Sequence, residues 1–119
     1  MNKVYFLSSC DTCKKIMNQF DLSSFEKREI KSQPLNRQEL EALRSLGGSY
    51  QSLFSKRAKK YSQLGLKDQN LSEEDYLFYL LEDYTFLQRP VFVVGDKIWI
   101  GNSKTTLDEL KQTLTPSKK

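Results

Sequence analysis

The sequence predicts an α/β protein: a mixed β-sheet with helices packed on it and a helical insertion, in the order βαβ, helices, ββα. Three observations predict it. Short apolar, β-prone runs stand near both ends, Val4-Tyr5-Phe6-Leu7 and Val91-Phe92-Val93-Val94. The first leads through a turn into helical spacing, and the second leads through Gly95-Asp96-Lys97 into another strand. Between the two parts, from about residue 36 to about residue 85, capping residues and helical periodicity replace alternation.

The elements follow in order. Val4 to Leu7 fits a buried strand. Ser8-Ser9-Cys10-Asp11-Thr12 is a turn rich in helix-start residues. Cys13, Ile16, Met17 and Phe20 then recur at i, i+3, i+4, i+7, one face of a helix, with Lys14, Lys15, Asn18 and Gln19 on the other. Phe25 to Ile30 is read as a second strand with apolar ends. Asn36 and Glu39 form a capping box for a helix through Leu46, which Gly47-Gly48 ends. Tyr50 to Leu64 is read as helical. Ser72 caps another helix, with Tyr76, Leu77, Leu80, Leu81 and Tyr84 expected to face inward. Pro90 to Val94 and Ile98 to Ile100 form a hairpin. Thr106 to Glu109 is read as a capping box for a last helix with Leu107, Leu110 and Leu114 on one face, followed by Pro116 and a polar tail. The whole chain, 1–119, is expected to be one domain carrying the insertion.

Composition narrows the chemistry. Hydrophobic residues are 38% and charged residues 29% of the chain, with a net charge of +4 and no histidine. Without histidine there is no Ser-His-Asp triad, no Cys-His pair and no imidazole ligand. Two cysteines cannot complete the usual four-ligand zinc site, so no metal is expected. No apolar run approaches the roughly 20 residues that span a bilayer, so no membrane partner is expected. The opening residues are too short an apolar stretch for a secretory signal, and the chain is read as cytoplasmic. The basic residues are scattered, so no direct nucleic-acid binding is expected. The positive charge suits a small anion or an acidic partner protein, or is simply a solvated surface.

Cys10 and Cys13 carry the chemistry. A Cys-X-X-Cys after a strand and at the opening of a helix reads as a redox pair. Free N–H groups and the positive helix end favour thiolate over thiol, and Lys14 and Lys15 add nearby charge. Cys13 shares the apolar stripe and is expected to be buried. Cys10, in the turn, is the expected nucleophile, with Cys13 as its resolving partner. The alternative is that the thiols are inert, Cys13 being a small core residue. Pro90 follows Arg89 at a strand start, a place where a cis peptide can be fixed; local sequence leaves cis and trans open.

Taken together, Ser9-Cys10-Asp11-Thr12-Cys13-Lys14-Lys15, Ser55-Lys56-Arg57-Ala58, Leu87-Gln88-Arg89-Pro90 and Ile100-Gly101-Asn102-Ser103 resemble the ArsC family over nearly the whole chain. That family includes glutaredoxin-coupled arsenate reductases and Spx-type transcriptional regulators. The resemblance implies a thioredoxin-like fold with Pro90 cis. It implies attack on an oxyanion by Cys10, with Arg57 and Arg89 holding the oxygens, since guanidinium forks suit tetrahedral oxyanions. Thr12, Lys14, Pro90 and Lys104 are expected to support the site. The family's third arginine is replaced here by Gly101-Asn102-Ser103-Lys104, with Lys104 as a point charge in its place. Arg57 can alternatively belong to a solvated cationic run, Lys56 to Lys60.

Three functions follow from the resemblance. One is a thiol-dependent reductase of an oxyanion or disulfide, needing no cofactor beyond glutathione as co-substrate and re-reduced by glutaredoxin or thioredoxin. The second is a redox-switched regulator that binds RNA polymerase, since the Cys-X-X-Cys form is shared with Spx-type proteins. The third is a non-catalytic thioredoxin-fold binding module.

Overall fold

The computed structural model describes residues 2–114; Pro116 and the polar tail lie outside the described residues. The chain divides into two compact units. One joins residues up to Glu29 with those from Arg89 onward, and the other is Ile30–Gln88.

The first unit holds the sheet. Its strands are β1 (Asn2–Phe6), β2 (Glu26–Glu29), β3 (Val91–Val94) and β4 (Lys97–Ile100). They lie in the order β2-β1-β3-β4. β1 runs parallel to β2, with Phe6 opposite Glu29. β1 and β3 are antiparallel, and β3 and β4 form the expected hairpin. The register sets Val4 opposite Phe92 and Phe92 opposite Trp99, so one face presents three large apolar side chains in a row. Helix α1 (Asp11–Met17) contributes Ile16 to them, and helix α5 (Lys104–Leu114) contributes Leu110. Leu22, Phe25 and Phe20 close the cluster, Phe20 and Phe25 meeting Phe92 edge-on at 5.8 and 6.1 Å. Tyr5 and Val91, which alternate to the opposite face, are buried as well. Burial on both faces explains why the β3 sequence is a continuous apolar run.

Phe20 lies beyond the end of α1, yet packs on this core as the apolar stripe predicted. The last helix starts earlier than expected. Ser103, not Thr106, is the cap: its Oγ accepts from the Thr106 N–H at 3.2 Å, and its carbonyl accepts from Leu107 at 3.0 Å. The Thr106 hydroxyl is itself hydrogen-bonded to Ser103 Oγ at 2.8 Å, so Thr106 serves the cap from inside the first turn.

The second unit is helical. Helix α2 (Arg37–Gly47) opens on the Asn36–Glu39 capping box, with Leu40 and Leu43 buried. Gly48, at φ 99, ends it in a conformation that side chains rarely adopt. Helix α4 (Glu73–Glu82) opens on a capping box between Ser72 and Asp75. Tyr50 to Leu64 is not one helix. It is a 3-10 turn, Gln51–Leu53, then an extended Phe54, then the short helix α3 (Lys59–Gln63). Long-range partners outcompete local helix bonds there. Phe54 bridges to Leu87, Ser55 N–H donates to the Phe86 carbonyl at 2.6 Å, and the Gln88 amide donates to the carbonyls of Ser52 and Phe54. The Phe54 ring stacks on Phe86 at 5.0 Å and meets Tyr61 and Tyr76 edge-on. Tyr76, Leu77 and Leu80 are buried as expected, but Leu81 is 41% exposed and Tyr84 falls outside the helix.

Asp83 is why α4 stops. Its backbone is extended, and its carboxylate accepts from the N–H and hydroxyl of Thr85 at 2.9 and 2.7 Å while pairing with Lys60. Burial pushes this carboxyl up, but the Lys60 ammonium and the Thr85 donors outweigh it and hold the acid at about 2. A depressed acid stabilises the fold above its unfolded value near 4, and that stabilisation is lost as pH falls through about 2. Asp83→Asn should therefore cost between about 1 and 2 kcal/mol at pH 7, the lower figure reflecting the screened Lys60 partner. Urea unfolding of both proteins at pH 7 and pH 2.5 checks this: the difference should shrink at the lower pH.

Candidate thiol site

The turn after β1 sets the geometry. Cys10 N–H donates to the Leu7 carbonyl at 3.0 Å, which closes the chain over Ser8 and Ser9. Cys10 is extended, at φ −92 and ψ 112, and is the residue before α1. Its carbonyl accepts from the Lys14 N–H at 3.1 Å, starting the helix. Its thiol is partly exposed, while Cys13 is fully buried, and both are free. The apolar stripe thus predicts their inequality correctly.

Their acidities differ in the same sense. Burial raises the Cys10 thiol, but the nearby N–H groups of Cys13 and Thr12, the Cys13 thiol and the charge of the Arg89 guanidinium more than offset it and hold it below its ordinary value. Burial, with the facing Cys10 sulfur, pushes Cys13 up to about 11, against smaller lowering by the Leu7 N–H and Arg89. Cys10 is therefore the more acidic of the two thiols, and Cys13 the one that holds its proton more tightly. The cation acting on both sulfurs is Arg89, whose Nε is buried. Lys14 and Lys15 are on the exposed face of α1. Thr12 acts through its backbone, its side chain being exposed.

Arg89 is joined to Pro90 by a cis peptide bond. Pro90 is buried, and its carbonyl accepts from Gly101 N–H at 3.0 Å, tying the start of β3 to the end of β4. Lys104 is directed elsewhere: its ammonium bonds Asp108 at 2.8 Å, one turn along α5. Arg57 is exposed on the turn before α3, in the helical unit, its N–H bonded to Ser55 Oγ at 3.3 Å. The structure thus brings together Cys10, Cys13, the Thr12 N–H and Arg89. Among the described residues, no three His, Cys, Asp or Glu side chains form a group able to hold a metal, and no helix is long and apolar enough to cross a membrane.

One contributor has no motif. Glu29, at the end of β2, accepts from the Ser8 N–H at 2.9 Å and the Ser8 hydroxyl at 3.2 Å. The available signal was topological: a β2 parallel to β1 ends beside the turn that β1 feeds.

The ArsC family model matches residues 5–110. The chain belongs to the ArsC family. This ArsC-family chain is 29% identical over 110 residues to the uncharacterized protein YusI of Bacillus subtilis, covering 88% of this chain and 93% of that one. It is 26% identical over 118 residues to the global transcriptional regulator Spx of Enterococcus faecalis, covering 96% and 86% respectively. A protein of Staphylococcus aureus solved by NMR superposes with a TM-score of 0.73 at 30% identity, over 92% of this chain and 97% of that one. The mixed sheet with its helices is the thioredoxin-like architecture of ArsC proteins.

Proposed function

We propose that this chain is a thiol-redox protein of the cytoplasm in which Cys10 and Cys13 cycle between dithiol and disulfide, with Cys10 as nucleophile. The observation that carries the reading is the opposed environment of the two sulfurs. Cys10 is partly exposed and its pKa is held below the ordinary thiol value, whereas Cys13 is buried beside it and its pKa is raised. On a disulfide substrate, the Cys10 sulfur forms a bond to one sulfur and the other leaves as a thiolate. Cys13 loses its proton to the leaving thiolate and attacks the Cys10 sulfur. The second substrate thiolate departs, two electrons having passed from the pair to the substrate. On arsenate, Cys10 replaces one oxygen, which leaves as water. Cys13 then attacks the Cys10 sulfur, and the electron pair of the sulfur–arsenic bond stays on arsenic, reducing it by two electrons. Glutathione, glutaredoxin or thioredoxin returns the disulfide to dithiol.

The test compares arsenate reduction with reduction of a small disulfide, each in the presence of glutathione and glutaredoxin. Turnover in the wild type that falls to background in Cys10→Ser supports a reductase. No turnover with either substrate removes it.

A second reading is favoured by the likeness to Spx across nearly the full length and by Lys104, which is paired to Asp108 where the family's third arginine is expected. In that reading the pair is a switch, and the partner is RNA polymerase. Retention of purified polymerase by the oxidised or the reduced chain, with no turnover, supports it.

A further inference from the structure

We propose that Glu29 is a positioning residue: its carboxylate clamps Ser8 and so holds the Leu7–Cys10 turn in the shape that sets Cys10 at the start of α1. The inference rests on the reading of Cys10 as the reactive thiol.

Three hydrogen bonds define the clamp. Two run from Ser8, N–H and hydroxyl, to the same Glu29 oxygen, and the third closes the turn from Cys10 N–H to the Leu7 carbonyl. Ser8 is the first residue inside that turn. Both Ser8 and Ser9 are exposed, so the two residues inside the turn, unlike the buried Leu7 before them, have no apolar packing to fix them. β2 supplies a rigid anchor, because Glu29 is paired with Phe6 in the parallel ladder, two residues before Ser8. Bonds to an ionised acceptor are stronger than neutral ones, so a carboxylate suits an exposed clamp better than an amide does. An anion near a thiol has an opposite, purely electrostatic effect: it disfavours the thiolate. A negative charge at this position is explained by what it holds in place, not by what its field does to Cys10.

The two effects separate experimentally. Iodoacetamide labelling of Cys10, followed against pH, reads both its pKa and its reactivity. Positioning predicts that Glu29→Ala raises the Cys10 midpoint and slows labelling at pH 7 by about threefold to tenfold, tenfold being one pH unit. Glu29→Gln, which keeps an acceptor oxygen, should restore most of the rate. Ser8→Ala, which removes one of the two Ser8 bonds, should shift the midpoint the same way by less, and it serves if Glu29→Ala does not fold. A faster rate in both Glu29 variants would mean that only the charge acts on Cys10 and would overturn the proposal, as would an unchanged midpoint in Glu29→Ala or, where that variant does not fold, in Ser8→Ala. Preferential labelling of Cys13 in the wild type would instead remove the functional reading beneath it.

Discussion

At pH 7, limiting iodoacetamide should label Cys10 at least about tenfold faster than Cys13. The figure follows from ionisation. A thiol at about 11 is ionised to roughly one part in 10⁴ at pH 7, whereas one held below 9.0 exceeds roughly one part in 10². The lower-pKa thiolate is the weaker nucleophile, with a Brønsted slope of about 0.4–0.5, which returns up to about tenfold of that hundredfold advantage. Burial of Cys13 adds an access barrier in the same direction. The ratio should narrow as pH rises, because Cys10 is fully ionised first while Cys13 continues to gain. Peptide mapping of the label checks this, and equal or faster labelling of Cys13 would reverse the roles of the two residues.

Much of this asymmetry was legible in the residues. Cys13, Ile16, Met17 and Phe20 share one helical face, and three of the four sit in or against the core while Cys13 is buried. The strands, the hairpin, the capping box at Asn36 and the cap at Ser72 were legible because each is specified locally, by alternation, by turn residues or by a cap beside the helix it opens. What was not legible depends on distant parts of the chain. Phe54 looks helical until Leu87 is beside it, and tertiary pairing overrides local preference there. Thr106-Leu107-Asp108-Glu109 reads as a capping box, but Ser103, three residues earlier, is an equally good cap. Leu81 fits the inward stripe of α4, yet the helix ends one residue later and leaves it half out. At the site, local pattern offered only Lys14 and Lys15 as cations beside Cys10, and it was the family resemblance that pointed to Arg89. The guanidinium that acts on the sulfur comes from Arg89, 79 positions along the chain, brought there by the antiparallel pairing of β3 with β1.

Arg89→Ala should have two separable consequences for Cys10. The first concerns the free protein. Arg89 favours the thiolate, so its removal should raise the Cys10 midpoint and slow alkylation at pH 7. The second concerns anions. If the chain acts on an oxyanion, sulfate, phosphate or arsenate bound beside Cys10 should protect it from alkylation at constant ionic strength. Hydrogen bonds to charged groups contribute about 1.5–3 kcal/mol each. A guanidinium fork donating two of them should therefore support oxyanion affinity by on the order of 10²-fold or more, and Arg89→Ala should abolish protection at concentrations that protect the wild type. Arg89→Lys separates charge from geometry: it should recover part of the Cys10 acidity as a point charge but little of the protection, because an ammonium cannot bind two oxygens as a planar fork. Arg57→Ala tests the second arginine of the resemblance in the same assay. A wild-type Cys10 whose alkylation rate does not respond to any of the three oxyanions would leave Arg89 as a tuner of thiol acidity alone. That result would remove the oxyanion-reductase reading and favour disulfide chemistry or the polymerase-binding switch.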